Sequence, residues 1–374
     1  MKIVADHKIP YLKGVLEPYA EIVYKPGPEI SNDDVKDADA LIVRTRTKCD
    51  EELLLGSSVK FIATATIGFD HIDQEYCRKK NISWTNAPGC NASSVQQYIA
   101  SVLAILSDSD FITGTPTLGI VGVGNVGSKV KKLARILDMN LLLNDPPRER
   151  AEGGTHWISF KEVIENADII TLHVPLNYEG EDKTYHMIDS GILEKIKQET
   201  ILINTSRGEV VDNNALKHGL TNGSINTAIL DVWENEPEID RELLSLVTLG
   251  TPHIAGYSRD GKANGTAHSV RALSRFFGLG LDNWYPNDIE LPQNPEIHLN
   301  NSGKTPNKIL FEAIKATYDV SEDDRRLQRN SEKFEKQRGD YPVRREFPAY
   351  KLVSDQDLSG DLLAKLRELG FQVS

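Results

Sequence analysis

The stretch Thr117 to Val130, TLGIVGVGNVGSKV, decides how the rest of the chain is read. Leu118 to Val121 is a short apolar run of the kind that makes a buried strand. Gly122-x-Gly124-x-x-Gly127 follows, and Val126, Val130, Leu133 and Leu137 then recur at helical spacing. Between strand and helix, three such glycines serve a tight turn, close approach of backbone to a pyrophosphate, and close packing of helix on strand. Asn125 and Val126 open the helix, whose N–H groups and positive dipole end would face the phosphates. A second apolar run, Asn140 to Asn144, ends in Asp145, 18 residues past the last glycine. A carboxylate at that distance suits the ribose hydroxyls of NAD. The competing reading of Asp145 is a turn former ahead of Pro146 and Pro147. The combination points to dinucleotide binding.

A chain of 374 residues exceeds one ordinary core, so two or three domains are expected. Hydrophobic content of 39% with 26% charged residues is that of a soluble globular protein. The formal net charge of −12 argues against a general nucleic-acid binder, while leaving room for a local basic pocket. Cys49, Cys77 and Cys90 lack metal-ligand spacing and fit a reducing compartment, so no metal is expected. The opening MKIVADHKIP enters a strand at once, with no signal-peptide apolar region. No apolar run approaches the roughly 18–20 residues of a membrane helix. The expectation is a cytoplasmic protein with neither a nucleic acid nor a membrane as partner.

The first ninety or so residues alternate short apolar runs with helical patterns, which indicates a parallel α/β unit. The predicted strands are Lys2 to Ala5, Ile22 to Tyr24, Ala40 to Arg44, Lys60 to Ala65 and Ile82 to Thr85. A long amphipathic helix starts near Ser94, with Ser93 or Ser94 as N-cap. Beyond the glycine loop, strands are predicted at Asp168 to His173, Thr200 to Asn204, Asn226 to Leu230 and Val247 to Gly250. Helices over Phe160 to Asn166, Ser190 to Lys197 and Asn213 to Leu220 separate them, enough for a complete doubly wound sheet. Another amphipathic stretch follows Gly256, and the Asn- and Pro-rich segment from Leu281 to Pro306 reads as a linker. The charged remainder keeps apolar punctuation, from Ile309 to Phe371, that a disordered tail would lack. It reads as a small α+β appendage.

Three polar stations lie at the ends of predicted strands, where ligands collect in open α/β sheets. The first, Asn204-Thr205-Ser206-Arg207-Gly208, offers in Arg207 a fork of donors suited to a carboxylate. The second runs from Asp231 through Glu234 and Glu236 to Pro237, and the third, Thr251 to Tyr257, contains His253 and Gly256. Taken singly these could be a surface arginine, a solvated acidic loop and a structural histidine. Taken together, a histidine paired with Glu236 keeps one tautomer and gains stability in its charged form. Such a group can take a hydroxyl proton as a hydride leaves the same carbon, while Arg207 holds the substrate carboxylate. A fourth station, Val43 to Lys48, carries Arg44, Thr45 and Arg46, with Thr66 after the next strand. It suits a phosphate or carboxylate, or is a solvated basic loop.

VGVGNVG with Asp145, then INTSRG, DVWENEP and TPHIAG, closely resemble the D-isomer-specific 2-hydroxyacid dehydrogenases from about Val43 to Tyr257. NDPP at 144–147, NAPGCNA at 86–92, Tyr318-Asp319-Val320 and Arg344-Arg345-Glu346 resemble a branch that acts on a phosphorylated hydroxy acid. The resemblance implies two doubly wound parallel-sheet domains, Rossmann- and flavodoxin-like, plus a small C-terminal α+β domain. It places the NAD domain at 94–256. A substrate (lid) domain at 1–93 would be completed by about 257–283, with the active site in the cleft between them. Residues 284–374 would form a dimerisation domain, making the partner a second copy of the chain. Arg207, Glu236 and His253 would be catalytic. Gly122, Gly124, Asn125, Val126, Gly127, Asp145, Val174, Thr205, Ser206, Asp231 and Gly256 would meet the NAD cofactor. Val174 stands where a threonine is expected, losing a side-chain hydrogen bond. Thr45, Thr66 and Tyr257 would meet the substrate, a small phosphorylated hydroxy acid. From the residues themselves, Arg44 and Arg46 are the nearest cations for its phosphate, Arg44 the favoured one, with Arg344 and Arg345 as a second possibility if the C-terminal domain of a second copy lies over the cleft. Two alternatives stay open: a related dehydrogenase acting on 3-phosphoglycerate, and a non-catalytic NAD-sensing protein of the same fold.

Overall fold

The computed structural model describes residues 1–109, 111 and 114–373. The chain forms two compact units, each described by itself: Met1–Asn91 with Ser258–Glu290, and Ala92–Tyr257 with Leu291–Ser374. The first holds five parallel strands, β1 (Lys2–Asp6), β2 (Glu21–Lys25), β3 (Ala40–Val43), β4 (Phe61–Thr64) and β5 (Ser83–Thr85). They stand in the order β2-β1-β3-β4-β5. Strand runs such as ALIV and FIAT are buried at every position because both faces of the sheet are covered. Val4, Leu41, Val43 and Ile62 pack on one face; Ile3, Ala5, Ile42 and Ala63 pack on the other. The helix Arg259–Phe277 seats Val270 and Leu273 on that second face, so a late segment of the chain completes an early sheet.

The second unit is built on β6 (Thr117–Val121), β7 (Asn140–Asn144), β8 (Ile169–Leu172), β9 (Ile201–Asn204), β10 (Thr227–Leu230) and β11 (Leu249–Gly250). All pair in parallel, in the order β11-β10-β9-β8-β6-β7. A single parallel bridge, Leu143 to Trp157, extends the sheet beyond β7. The strand order reverses between β6 and β8, the crevice at which such sheets bind ligands. The doubly wound architecture read from the sequence is therefore present twice. Among the described residues no helix is long and apolar enough to cross a membrane, and no group of three or more His, Cys, Asp or Glu is placed to hold a metal ion.

A third sheet, β12 (Glu296–Leu299), β13 (Lys351–Ser354) and β14 (Gln372–Val373), belongs to the C-terminal α+β segment of the same unit. The linker read over 281–306 is thus too long. Within it Ile297 and Leu299 alternate inward against Glu296 and His298, which is a half-buried strand. The helix expected from Ser94 begins at Ala92, so neither Ser93 nor Ser94 is its N-cap. Ser94 is instead buried within it and donates to Glu346 at 2.8 Å. The helix Ala92–Asp108 packs against the helices Pro306–Thr317 and Val320–Arg329, which ties the C-terminal segment to the second unit. Buried polar side chains make the seam specific: Gln97 Nε2 donates to Thr317 at 3.1 Å and to the Arg345 carbonyl at 2.9 Å. Ser101 binds the Tyr318 carbonyl at 2.8 Å.

Candidate active site

The glycine loop joins β6 to the helix Asn125–Ile136. A β carbon on Gly127 would stand 2.0 Å from the Gly122 carbonyl oxygen, so only glycine lets the helix enter this close to the strand. Gly124 caps that helix without any side-chain hydrogen bond, and Gly124 and Asn125 are exposed. This is the cradle a pyrophosphate requires. Asp145 caps the short helix Pro146–Glu152: one carboxylate oxygen accepts from Arg148 N at 3.1 Å, the other from Val123 N at 2.8 Å. The acid expected to meet the ribose is thereby tied to the glycine loop itself. Val174 lies directly beneath Gly122, closing the floor of the loop with an apolar wall. The residues present fit a dinucleotide.

At the end of β9 the buried Asn204 shapes the turn that presents Arg207. Its side-chain oxygen accepts from Ser206 N at 3.1 Å and Ser206 Oγ at 2.8 Å, and its nitrogen donates to the Arg207 carbonyl at 2.8 Å. Thr205 Oγ1 lies 3.3 Å from His173 Nδ1. Burial pulls His173 down to about 3, which keeps that ring neutral beside the loop. Gly208 presses on the second station: a β carbon there would overlap the Trp233 carbonyl at 2.0 Å. The turn bearing Arg207 and the loop bearing Glu236 are thus brought together by backbone contact.

Glu236 Oε2 meets His253 Nδ1 at 2.7 Å, and Glu236 Oε1 accepts from Trp233 N at 3.0 Å. Burial alone would raise the Glu236 carboxyl. The His253 charge and hydrogen bond, the Trp233 N–H and the charge of Arg338 outweigh it and hold the group below its ordinary value. His253 takes φ +55°, a left-handed conformation costing a non-glycine residue roughly 1–3 kcal/mol. Asp231 holds it there. Its carbonyl accepts from His253 N at 2.7 Å, and its carboxylate accepts from Ile254 N at 2.7 Å, Ala255 N at 2.9 Å and Thr251 Oγ1 at 2.6 Å. Asp231 is 1% exposed. Burial raises its carboxyl against the pull of His253 and these three donors. Behind it, Tyr98 bonds Thr251 at 2.8 Å. Gly256 and Tyr257 follow on the same loop, each partly exposed.

The fourth station belongs to the first unit. Thr45 and Arg46 are exposed just beyond β3, and Thr66 lies beyond the neighbouring β4, its hydroxyl 2.8 Å from Thr64. Arg44 Nε donates to the buried Asp6 at 3.0 Å. Lys262, drawn down to about 8 by burial and by Arg259 and Arg44, adds a cation that no motif marked. Arg344 is a correction. It is 4% exposed, its guanidinium donates to Gln97 at 2.9 Å, Ala255 O at 3.1 Å and Ile254 O at 3.2 Å, and it also reaches Ser94 O. It braces the His253 loop from behind and is no phosphate ligand. Sequence reading also passed over Arg338, which lies near Tyr257 and Glu236; an arginine in a charged helix carries no signal in a single sequence.

Residues 107–255 match the family model described as D-isomer specific 2-hydroxyacid dehydrogenase, NAD binding domain; residues 289–370 match a domain of unknown function. Erythronate-4-phosphate dehydrogenase of Bacteroides thetaiotaomicron is 51% identical over 94% of this chain and 99% of its own. The protein of that name from Hahella chejuensis is 42% identical over 100% of both. Among solved structures, D-lactate dehydrogenase of Aquifex aeolicus, complexed with NAD and lactic acid, superimposes with a TM-score of 0.62 at 27% identity, covering 75% of this chain and 97% of its own. NAD-bound 3-phosphoglycerate dehydrogenase of Entamoeba histolytica gives 0.63 at 26% identity, covering 78% and 99%. With an NAD-binding domain of that description and full-length likeness to these relatives, the chain belongs to the erythronate-4-phosphate dehydrogenase family of NAD-dependent D-isomer-specific 2-hydroxyacid dehydrogenases.

Proposed function

We propose that the chain oxidises 4-phospho-D-erythronate at C2 to 2-oxo-3-hydroxy-4-phosphobutanoate, on the route to pyridoxal 5′-phosphate. The observation that carries this reading is the Glu236–His253 pair at 2.7 Å beside the Arg207 turn, in a chain 51% identical to a relative of that name. NAD, when bound, supplies the acceptor for the C2 hydride. With Nδ1–H donating to Glu236, His253 keeps its Nε2 lone pair free of the ring proton and takes the proton of the C2 hydroxyl there. Glu236 supplies the negative charge that stabilises the imidazolium once it forms. Arg207 grips the substrate carboxylate and polarises the oxygen that becomes a carbonyl.

Gly122, Gly124, Asn125, Val126 and Gly127 take the pyrophosphate, and Asp145 takes the adenosine ribose. Val174, Thr205, Ser206, Asp231 and Gly256 line the remainder of the nucleotide, Asp231 through the loop it holds rather than through its occupied carboxylate. Thr45, Thr66 and Tyr257 contact the substrate, and Arg44 reads its phosphate, supported by the charge of Lys262 and Arg259. The segment from 284 onward serves as a dimerisation domain of a cytoplasmic enzyme. Absorbance of reduced nicotinamide, followed with 4-phospho-D-erythronate, D-erythronate and 3-phosphoglycerate, tests the reading. The first substrate is expected to turn over with the highest kcat/KM; preference for 3-phosphoglycerate would overturn the substrate, and no turnover of any would overturn the activity.

A further inference from the structure

The C-terminal segment matches a family model described as a domain of unknown function, and it brings a cation to the Glu236 loop. Arg338 lies on the short helix Phe334–Gly339. Its guanidinium carbon stands 5.6 Å from the centre of the Tyr257 ring and 5.9 Å from that of Phe334. Tyr257 in turn meets Tyr341 edge-on at 5.9 Å, so two residues of this segment hold the ring expected to touch substrate. One end of the guanidinium donates to Glu335 at 2.9 Å. Among the described residues its Nε is buried without a hydrogen-bond partner, and a buried unpaired donor calls for an explanation. The side chain is 20% exposed. A cation so poorly hydrated interacts strongly with nearby charge.

We infer that Arg338 is a positioning residue of the dehydrogenase site: it seats Tyr257 and acts through Glu236, and its charge sets the pH at which the Glu236–His253 pair works. This rests on the reading of that pair as the proton acceptor. The groups facing the pair can be named. Asp231 lies behind His253, with its charge bonded to Thr251 and two backbone N–H groups. Trp233 N–H binds Glu236 from its own loop. Glu335 opposes Arg338, and Tyr257 lies beneath it. Arg207, on the turn packed against this loop, and Arg338 are the cations of this set, and Arg338 is the one whose charge lowers Glu236. A positive charge disfavours protonation of a neighbouring pair, so it keeps the histidine in its proton-accepting form to lower pH. The segment matching the domain of unknown function thereby tunes the chemistry of the NAD-binding unit.

The test is the pH profile of kcat/KM for oxidation, measured on full-length Arg338→Gln, Arg338→Lys and Glu335→Gln with the phosphorylated acid and its unphosphorylated analogue. Arg338→Gln is expected to move the acidic limb to higher pH by about half a unit or more for both substrates, with NAD affinity unchanged. Arg338→Lys keeps the charge and restores the limb. Glu335→Gln leaves the cation and removes its counter-charge, moving the limb the other way, so the inference stays testable if Arg338→Gln does not fold. A uniform loss at all pH values with the limb in place would overturn the inference, as would a loss confined to the phosphorylated substrate. His253→Gln, run alongside, separates the two readings. If it keeps hydride transfer, the reading of the pair falls; if it loses transfer while Arg338→Gln leaves the limb unmoved, only the role of Arg338 falls.

Discussion

The loop from Thr251 to Tyr257 and the strand end from Arg44 to Lys48 are built differently. The first is held from behind by buried groups: Asp231 takes three donors, Tyr98 bonds Thr251, and Arg344 binds the carbonyls of Ile254 and Ala255. The second is pinned by Arg44 to Asp6 and by Thr47 to the Gly27 carbonyl at 3.0 Å, and Thr45 and Arg46 between them are exposed. A proton-transferring atom must be placed to a fraction of an ångström, and enclosure does that. A segment that reads one substrate among several hydroxy acids can be carried on a strand end, where exposed side chains vary without disturbing the fold.

The sharpest way to break this contrast is to remove His253, the proposed proton acceptor. His253→Gln is expected to lower kcat by about 10²–10⁴ while NAD binding, measured by fluorescence, stays near normal. Near-normal turnover would show that the loop's rigidity serves something else. Asp145→Ala should weaken NAD binding by about one to two decades, since hydrogen bonds to a charged group are worth roughly 1.5–3 kcal/mol. It also removes the acceptor for Val123 N, so some of that loss would reflect a loosened glycine loop. Titration with NAD and NADP checks it, and equal affinity of the unmutated protein for both would remove the role of Asp145.

For the exposed station, Arg44→Ala should raise KM for the phosphorylated substrate far more than for its unphosphorylated analogue, by roughly 1.5–3 kcal/mol in that comparison. Equal losses would mean that its ion pair with Asp6 is purely structural. The clearest effect on stability belongs to Asp231→Ala. It strands two backbone N–H groups and a hydroxyl in a buried site, so a loss of at least roughly 3 kcal/mol is expected by denaturant unfolding. A stability change under about 1 kcal/mol would contradict the picture of a clamped loop. Glu236 gives the pH counterpart. Its folded-state carboxyl lies below its unfolded value, so its contribution to stability is complete above the ordinary carboxylate range and is lost as pH falls through the lowered value.

The parts legible in the sequence were those where local pattern and chemistry coincide. TLGIV followed by glycines at 122, 124 and 127 can hardly be anything but a strand feeding a helix, and Glu236 and His253 lie in loops that follow short buried strands. Illegible were the residues whose role arises from packing across long separations. Arg344 looked like a candidate anion ligand and is a buried brace 247 residues from its partner Gln97. Lys262 and Arg338 stand in helices where no motif marks one charge from another. The strand at Glu296–Leu299 hid in Asn- and Pro-rich flanks, since only Ile297 and Leu299 mark it. Short parallel strands take their partners from far along the chain, which no window of neighbouring residues reveals.

The central claim is that Glu236 and His253 act as one proton-accepting pair, and the most direct measurement is the pH dependence of kcat/KM for oxidation in Glu236→Gln against the unmutated enzyme. Removing the carboxylate charge removes the anion that favours the imidazolium. The acidic limb is therefore expected to move to lower pH by roughly one unit or more, with a smaller loss of kcat than in His253→Gln. An acidic limb in the same place in both proteins would contradict the claim, because the group that titrates would then be one that Glu236 does not touch.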